Sequence, residues 1–199
     1  KITEVPYLPD IKGHAPKTDN PYTISYKMLF EKCDKLTDIT VLESLDMTDV
    51  TDLSYVFANC ESLENIQPVI NWNVSKIENM RNMFYECRSL ASLDVSGFDT
   101  SNVTDMSLMF LEASAFNQPV KFDTRKVVSM YGMFLDAKSF NQPVDFDVSS
   151  IETTKNMFSG ADAYTYDKSK YDNEEFYGVR IFNGPDQDNP ETMPLYNFK

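Results

Sequence analysis

Histidine is all but missing. His14 is the only one, and it sits among Pro6, Pro9, Gly13 and Pro16 near the start of the chain. A Ser–His or Cys–His pair therefore has almost nothing to draw on, and His14 is read as a surface residue. Glycine is scarce as well, at 6 of 199 residues, and no Gly-rich phosphate loop is present. The sequence contains no HExxH, no GxSxG and no CxxC. No apolar run reaches the roughly 18 residues that a membrane span needs. Positive charge is the minority: 18 basic against 31 acidic residues give a formal −13. Phosphate binding needs clustered Lys and Arg, so this balance argues against nucleic acid as a partner, and against docking on anionic membranes. The acidity describes a solvated, self-repelling surface, or one that selects a basic partner or cations. Neither a catalytic residue, nor a metal ligand set, nor a cofactor is assigned, and the chain is read as a non-enzyme.

What the sequence has instead is repetition. A Phe recurs at Phe30, Phe57, Phe84, Phe110, Phe134 and Phe158, at spacings of 27, 27, 26, 24 and 24 residues. Self-similarity at such a period marks a stacked-repeat architecture. With 42% apolar residues the chain is able to bury a core. Around each Phe the apolar positions are fixed. Ile77, Met80, Met83, Phe84 and Cys87 are matched by Val103, Met106, Met109, Phe110 and Ala113, then by Val127, Met130, Met133, Phe134 and Ala137. Offsets of three and four residues predict a short helical segment of about three turns, part of it 3₁₀, that needs its neighbours to be stable. Ser75 with Glu78, and Ser149 with Glu152, fit a capping box at its start. The ten Met fall mostly on this apolar face and are assigned to the core rather than to a pliable groove.

After the helical part comes Leu90-Ala91-Ser92-Leu93-Asp94-Val95, with earlier counterparts in Leu36, Ile39 and Val41 and in Leu63 and Ile66. This LxxLxL alternation predicts a short strand with one buried face. The later repeats replace it with Phe116-Asn117-Gln118-Pro119-Val120 and Phe140-Asn141-Gln142-Pro143-Val144, where strands start after the proline if they form. A link then leads to the next repeat through Trp72-Asn73, Phe98-Asp99, Phe122-Asp123 and Phe146-Asp147. Asp46, Asp99, Asp123 and Asp147 stand in one column. They are read as turn residues; the alternative is a repeated cation site, which Asn73 interrupts. Asp162, Asp167, Asp172, Glu174 and Glu175 make the densest acidic stretch, without calcium-loop spacing. Asn73-Val74-Ser75 and Asn102-Val103-Thr104 match the glycosylation acceptor pattern, but the repeat itself accounts for them. Cys33, Cys60 and Cys87 each follow an anchor Phe by 3 residues, where the later repeats carry Ala113, Ala137 and Ala161. A slot shared by Cys and Ala is small and buried, so free thiols are expected there. A disulfide or metal role is the alternative, and the odd count leaves one thiol unpaired in any disulfide scheme.

Three parts follow: an irregular lead-in over 1–22, a repeat stack over 23–164, and a C-terminal cap and tail over 165–199. Gly178–Phe182 is the expected strand of that cap. Thr154, where Met is expected, marks the last unit. The chain opens at Lys1 without an initiator Met and is read as a piece of a longer product.

The unit [V/I]-x-x-M-x-x-M-F-x-x-[C/A], followed by LxxLxL or FNQPV, resembles the BspA-type leucine-rich-repeat surface proteins. The likeness is to the variant with repeats of about 25 residues that is also found in mycoplasma-type lipoproteins. Asp99–Met106 and Ala115–Val120 carry the closest match. The resemblance implies an α/β repeat solenoid, a right-handed leucine-rich-repeat-like stack of about six units with terminal caps. Each unit has one short helical segment and one short parallel strand. It further implies a bacterial surface or secreted protein engaging a protein or glycan partner in adhesion or host contact. The chain itself is read as a monomeric module of a longer protein. By the strand alternation the binding face is Asp38, Thr40, Glu64, Gln67, Ser92, Asp94, Gln118, Lys121, Gln142 and Asp145. The competing expectation, from the charge and the thiols, is a cytoplasmic interaction or inhibitor protein for a basic partner.

Overall fold

In the computed structural model, residues 24–171 are described. The lead-in over 1–22 with His14, the strand over Gly178–Phe182, and Asp172, Glu174 and Glu175 lie outside them. Regular secondary structure is sparse. Strand β1, Ile24–Ser25, pairs in parallel with β2, Val50–Asp52. Short 3₁₀ turns span Thr40–Ser44, Gln67–Val69 and Ser169–Tyr171. The parallel pairing then continues one residue at a time, Asp52 with Asn79, Asn79 with Asp105, Asp105 with Ser129 and Ser129 with Thr153.

The expected helical segments are not helices: the described residues contain no α-helix. Over residues 80–87 the backbone instead alternates between two partners. The N–H groups of Met80, Asn82, Phe84 and Glu86 donate to the carbonyls of Asp105, Ser107, Met109 and Leu111 in the next repeat, at 2.8–3.0 Å. Those of Met83, Tyr85 and Cys87 donate three residues back, to Met80, Asn82 and Phe84, at 3.1–3.2 Å. Residues 106–113 and 130–137 repeat the arrangement. Nearly every backbone polar group along the run is thereby paired, which is what burial demands. The chain manages this by turning into the left-handed region. Among the described residues, apart from Asp49, every residue with positive φ lies two before or two after an anchor Phe: Asn82 and Glu86, Leu108 and Glu112, Gly132 and Asp136, Asn156 and Gly160 among them. An α-helix of L-residues does not tolerate that at every fourth position. The apolar offsets of three and four that suggest a helix arise here from successive three-residue turns.

The strands expected at LxxLxL are also displaced. That stretch forms only isolated bridges, Asn65 with Ser92 among them, and in the first two repeats it curls into 3₁₀ turns. Side chains compete for its amides: Asp38 accepts from Thr40 N–H at 2.9 Å and Asp94 from Ser96 N–H at 2.9 Å. Such local bonds offer the backbone an alternative to a ladder. The capping boxes fail for a related reason. Ser75 turns its hydroxyl to Asn73 at 2.7 Å, and the Glu78 N–H is taken by the Thr51 carbonyl of the preceding repeat at 2.8 Å.

The apolar side is one continuous core. Phe30, Phe57, Phe84, Phe110, Phe134 and Phe158 form a column of near-parallel rings, with centroids 5.5–5.9 Å apart. Phe116, Phe140 and Tyr164 form a second column, each ring 4.0–4.2 Å from the first. They replace the buried Leu36, Leu63 and Leu90 of the earlier repeats. The planar rings fill the same side of the core in the shorter 24-residue units. No helix among the described residues is long and apolar enough to cross a membrane.

Candidate functional site

The ten residues of the expected binding face do reach the surface. Asp38, Thr40, Glu64, Gln67, Ser92, Asp94, Lys121 and Asp145 are exposed, and Gln118 and Gln142 are half-buried. They do not stand on a strand. Several are occupied in holding one repeat against the next. Gln118 donates its amide to the Ala91 carbonyl at 3.0 Å, and Gln142 donates to the Asn117 carbonyl and side chain at 3.2 and 3.0 Å. Asp145 pairs with Lys170 at 2.8 Å. The backbone N–H bonds to Asp38 and Asp94 hold both carboxyls below the usual carboxylate range. Thr40, Glu64, Gln67, Ser92 and Lys121 remain as an exposed polar rim.

Spacing alone did not reveal Asn117 and Asn141. Asn117 Oδ1 accepts the Asn141 N–H at 2.9 Å, and Asn141 Oδ1 accepts the Thr165 N–H at 3.0 Å. The FNQPV repeat was the available signal. A side-chain acceptor carried one repeat forward explains why the Asn recurs.

The column of Asp46, Asp99, Asp123 and Asp147 takes the turn role. Each accepts the N–H two residues on, from Thr48, Ser101, Arg125 and Ser149, at 2.8–3.2 Å, and Asn73 does the same for Ser75 at 3.1 Å. Asp123 adds the Arg125 guanidinium at 2.5 Å, and that bond, with the backbone N–H, lowers its carboxyl to about 2. A second column was hidden in the sequence: Asp52, Asn79 and Asp105 accept from Ser54, Arg81 and Ser107 at 2.7–2.9 Å. No group of His, Cys, Asp and Glu among the described residues is arranged to hold a metal. Of the acceptor-pattern asparagines, Asn102 bridges Ser75 and Lys126 at 2.8 and 2.6 Å.

All three cysteines are free. Cys60 and Cys87 are buried, and their thiols donate to the Phe30 and Phe57 carbonyls at 3.2 and 3.1 Å. Burial pushes Cys60 up to about 12 and Cys87 well above the ordinary thiol range. Cys33 is only half-buried; burial, with the Asp34 carboxylate nearby, raises its thiol as well. On the other side of the turn run, Ala58, Tyr85, Leu111 and Leu135 form a small separate apolar cluster flanked by Tyr55 and Leu108. Beside it Arg88 links Glu86 and Glu112 at 2.8 and 2.6 Å.

Repeats locked by amide, ring and side-chain columns define a repeat protein whose surface chemistry is polar and acidic. The chain belongs to the family described as "Mycoplasma protein of unknown function, DUF285", whose model matches residues 24–122 and again 91–190. No curated protein and no solved structure matched the chain.

Proposed function

We propose that this chain is a non-enzymatic binding module: a repeat solenoid displayed on a bacterial surface or secreted, engaging a protein or glycan through its exposed polar rim. The narrower kinship to BspA-type leucine-rich-repeat surface proteins is part of the same proposal. The observation that carries it is the rim itself. Thr40, Glu64, Gln67, Ser92 and Lys121 are exposed on successive repeats whose backbones are tied together, Ala91 and Ser92 N–H both reaching the Glu64 carbonyl at 3.1 Å. A rim on an internally hydrogen-bonded frame is pre-organised, which lowers the entropy cost of binding. The acidic side chains and the absence of clustered cations favour a ligand with donor groups, such as hydroxyls or ammonium groups, over an anionic one.

The test is an array of glycans and extracellular host proteins probed with the full chain and with a triple variant, Glu64→Lys, Gln67→Ala and Lys121→Glu. The reading predicts ligands bound by the parent and lost in the variant at unchanged melting temperature. No ligand, or equal binding by the variant, contradicts it.

The formal charge of −13 and the two buried reduced thiols support a second reading, an interaction protein for a basic partner inside the cell. It predicts capture of a basic protein with an affinity that falls steeply with salt.

A further inference from the structure

Each repeat hands the same set of amides to the next. Tyr26, Met28, Phe30 and Lys32 donate to the Phe57 repeat; at the far end Met130, Gly132, Phe134 and Asp136 donate to Thr153, Lys155, Met157 and Ser159 at 2.8–2.9 Å. The equivalent amides of the last repeat are those of Thr154, Asn156, Phe158 and Gly160. Among the described residues none of these four N–H groups has an acceptor. The apolar side of this repeat is closed, however. Tyr171 stands edge-on to Phe158 at 5.7 Å and to Phe146 at 6.2 Å. Its hydroxyl meets the Phe146 N–H at 3.1 Å and the Val144 carbonyl at 3.3 Å, and its own carbonyl takes the Thr154 hydroxyl at 2.5 Å. Among the described residues the core is capped and the backbone ladder is not.

The same repeat carries two more loose ends. Tyr166, at 46% exposure, is the exposed large hydrophobic side chain of the described residues, 5.8 Å from Tyr164. The Tyr164 hydroxyl is buried without a hydrogen-bond partner.

The chemistry of the edge limits what fits it. An ordinary β-strand offers both N–H and C=O along each side. This run points donors one way and acceptors the other, so its open side offers N–H groups alone, from every second residue. The complement is a backbone that offers carbonyls alone at the same spacing. Each described repeat after the first presents that face to the repeat before it. We propose that the Thr154–Gly160 edge is a docking rung for a repeat of the same type carried by a separate polypeptide chain, added by main-chain hydrogen bonds and covering Tyr166. This is strand addition in its general form, with affinity supplied by the backbone, and it extends an interface that the chain already forms five times over. It does not depend on the ligand-binding rim.

The probe is a synthetic peptide with the sequence of residues 76–101 and Ala in place of Cys87, added to the ¹⁵N-labelled full chain. In the free chain, the amides of Asn156, Phe158 and Gly160 are expected to exchange at least about 100-fold faster than those of Gly132, Phe134 and Asp136. Saturating peptide is expected to slow them about 10-fold or more and to shift the Tyr166 ring signals. A scrambled peptide should do neither, and Tyr166→Ser should weaken the effect without lowering the melting temperature. Three results overturn the proposal. One is protection of these amides in the free monomer, which would mean the chain covers its own edge. The others are no slowing by the peptide, and equal slowing by the scrambled one.

Discussion

Leu108 lies over Gly132. A Cβ built on Gly132 would stand 2.7 Å from Leu108 Cδ2 and 3.5 Å from the Leu135 side chain, and Gly132 has a φ of +55°. The two residues hold the same place in successive repeats, two before the anchor Phe, and both are left-handed. The bulky residue of one repeat thus occupies the room left by the glycine of the next.

Gly132→Ala therefore carries two costs, about 1 kcal/mol for a left-handed L-residue and a smaller steric one, because the near atom is the end of the half-buried Leu108 side chain, which can turn aside. Chemical denaturation should show a loss of about 1–2 kcal/mol. Adding Leu108→Ala should recover the steric part, so the pair is less destabilised than the sum of the single changes. Strict additivity would contradict the packing.

Phe84 and Phe110 each stack on both neighbours in the ring column and are fully buried. Replacing either with Ala should cost about 3–5 kcal/mol, read as a lower denaturant midpoint. An unchanged melting temperature in either variant contradicts the core.

The cysteines should separate by exposure. Under native conditions a thiol reagent should modify Cys33 first, with Cys60 and Cys87 reacting only as the chain unfolds. Because burial raises those two pKa values, the stability that their neutral thiols confer is present below the ordinary value of 9.0 and is lost as pH rises toward about 12. Mass spectrometry of the modified peptides decides; three equally fast thiols would contradict the burial.

Acid should act in the opposite sense. Asp94, Asp99, Asp123 and Asp147 have carboxyls held low by turn hydrogen bonds, Asp123 at about 2. A depressed folded pKa gives stability that is complete above the ordinary value of 3.8 and fades as pH falls toward about 2. Melting temperatures should hold down to pH 4 and fall between there and pH 2, and Asp123→Asn should flatten part of that fall. A fall that begins well above pH 5 would point to other groups.

The repeat and its anchors were legible because the core repeats: Phe30 to Phe158, Met80 to Met133 and the exchange of Cys60 and Cys87 for Ala113, Ala137 and Ala161 map onto buried places, and only Cys33, in the first repeat, is half-buried. Asp99, Asp123 and Asp147 were legible as turn residues because a short carboxylate in the link after an aromatic residue can bond a nearby backbone N–H, and each does. The turn run was not legible. Met80, Met83, Phe84 and Cys87 obey helical offsets, and only the dihedrals of Asn82 and Glu86 break the helix. Asn82 and Gly132 hint at that break, while Leu108 and Tyr55 in the same place conceal it. The strand was misplaced because alternation at Leu93 and Val95 says which side is buried. It does not say that the Asp94 carboxylate takes the Ser96 amide from the ladder. In the binding face, exposure was legible, but the pairing of Gln118 and Gln142 to a neighbouring repeat was not, since it depends on contacts 25 and 27 residues away in sequence.

The central claim is that consecutive repeats are joined amide to carbonyl through the Phe positions. The measurement that reaches it most directly is the scalar coupling transmitted across hydrogen bonds, recorded by NMR on deuterated protein labelled with ¹⁵N and ¹³C. The bonds of 2.8–3.0 Å predict couplings from Phe84 N to the Met109 carbonyl, from Phe110 N to Met133 and from Phe134 N to Met157. Couplings from Phe84 N to Met80 and from Phe110 N to Met106, the signature of a helix, would contradict it.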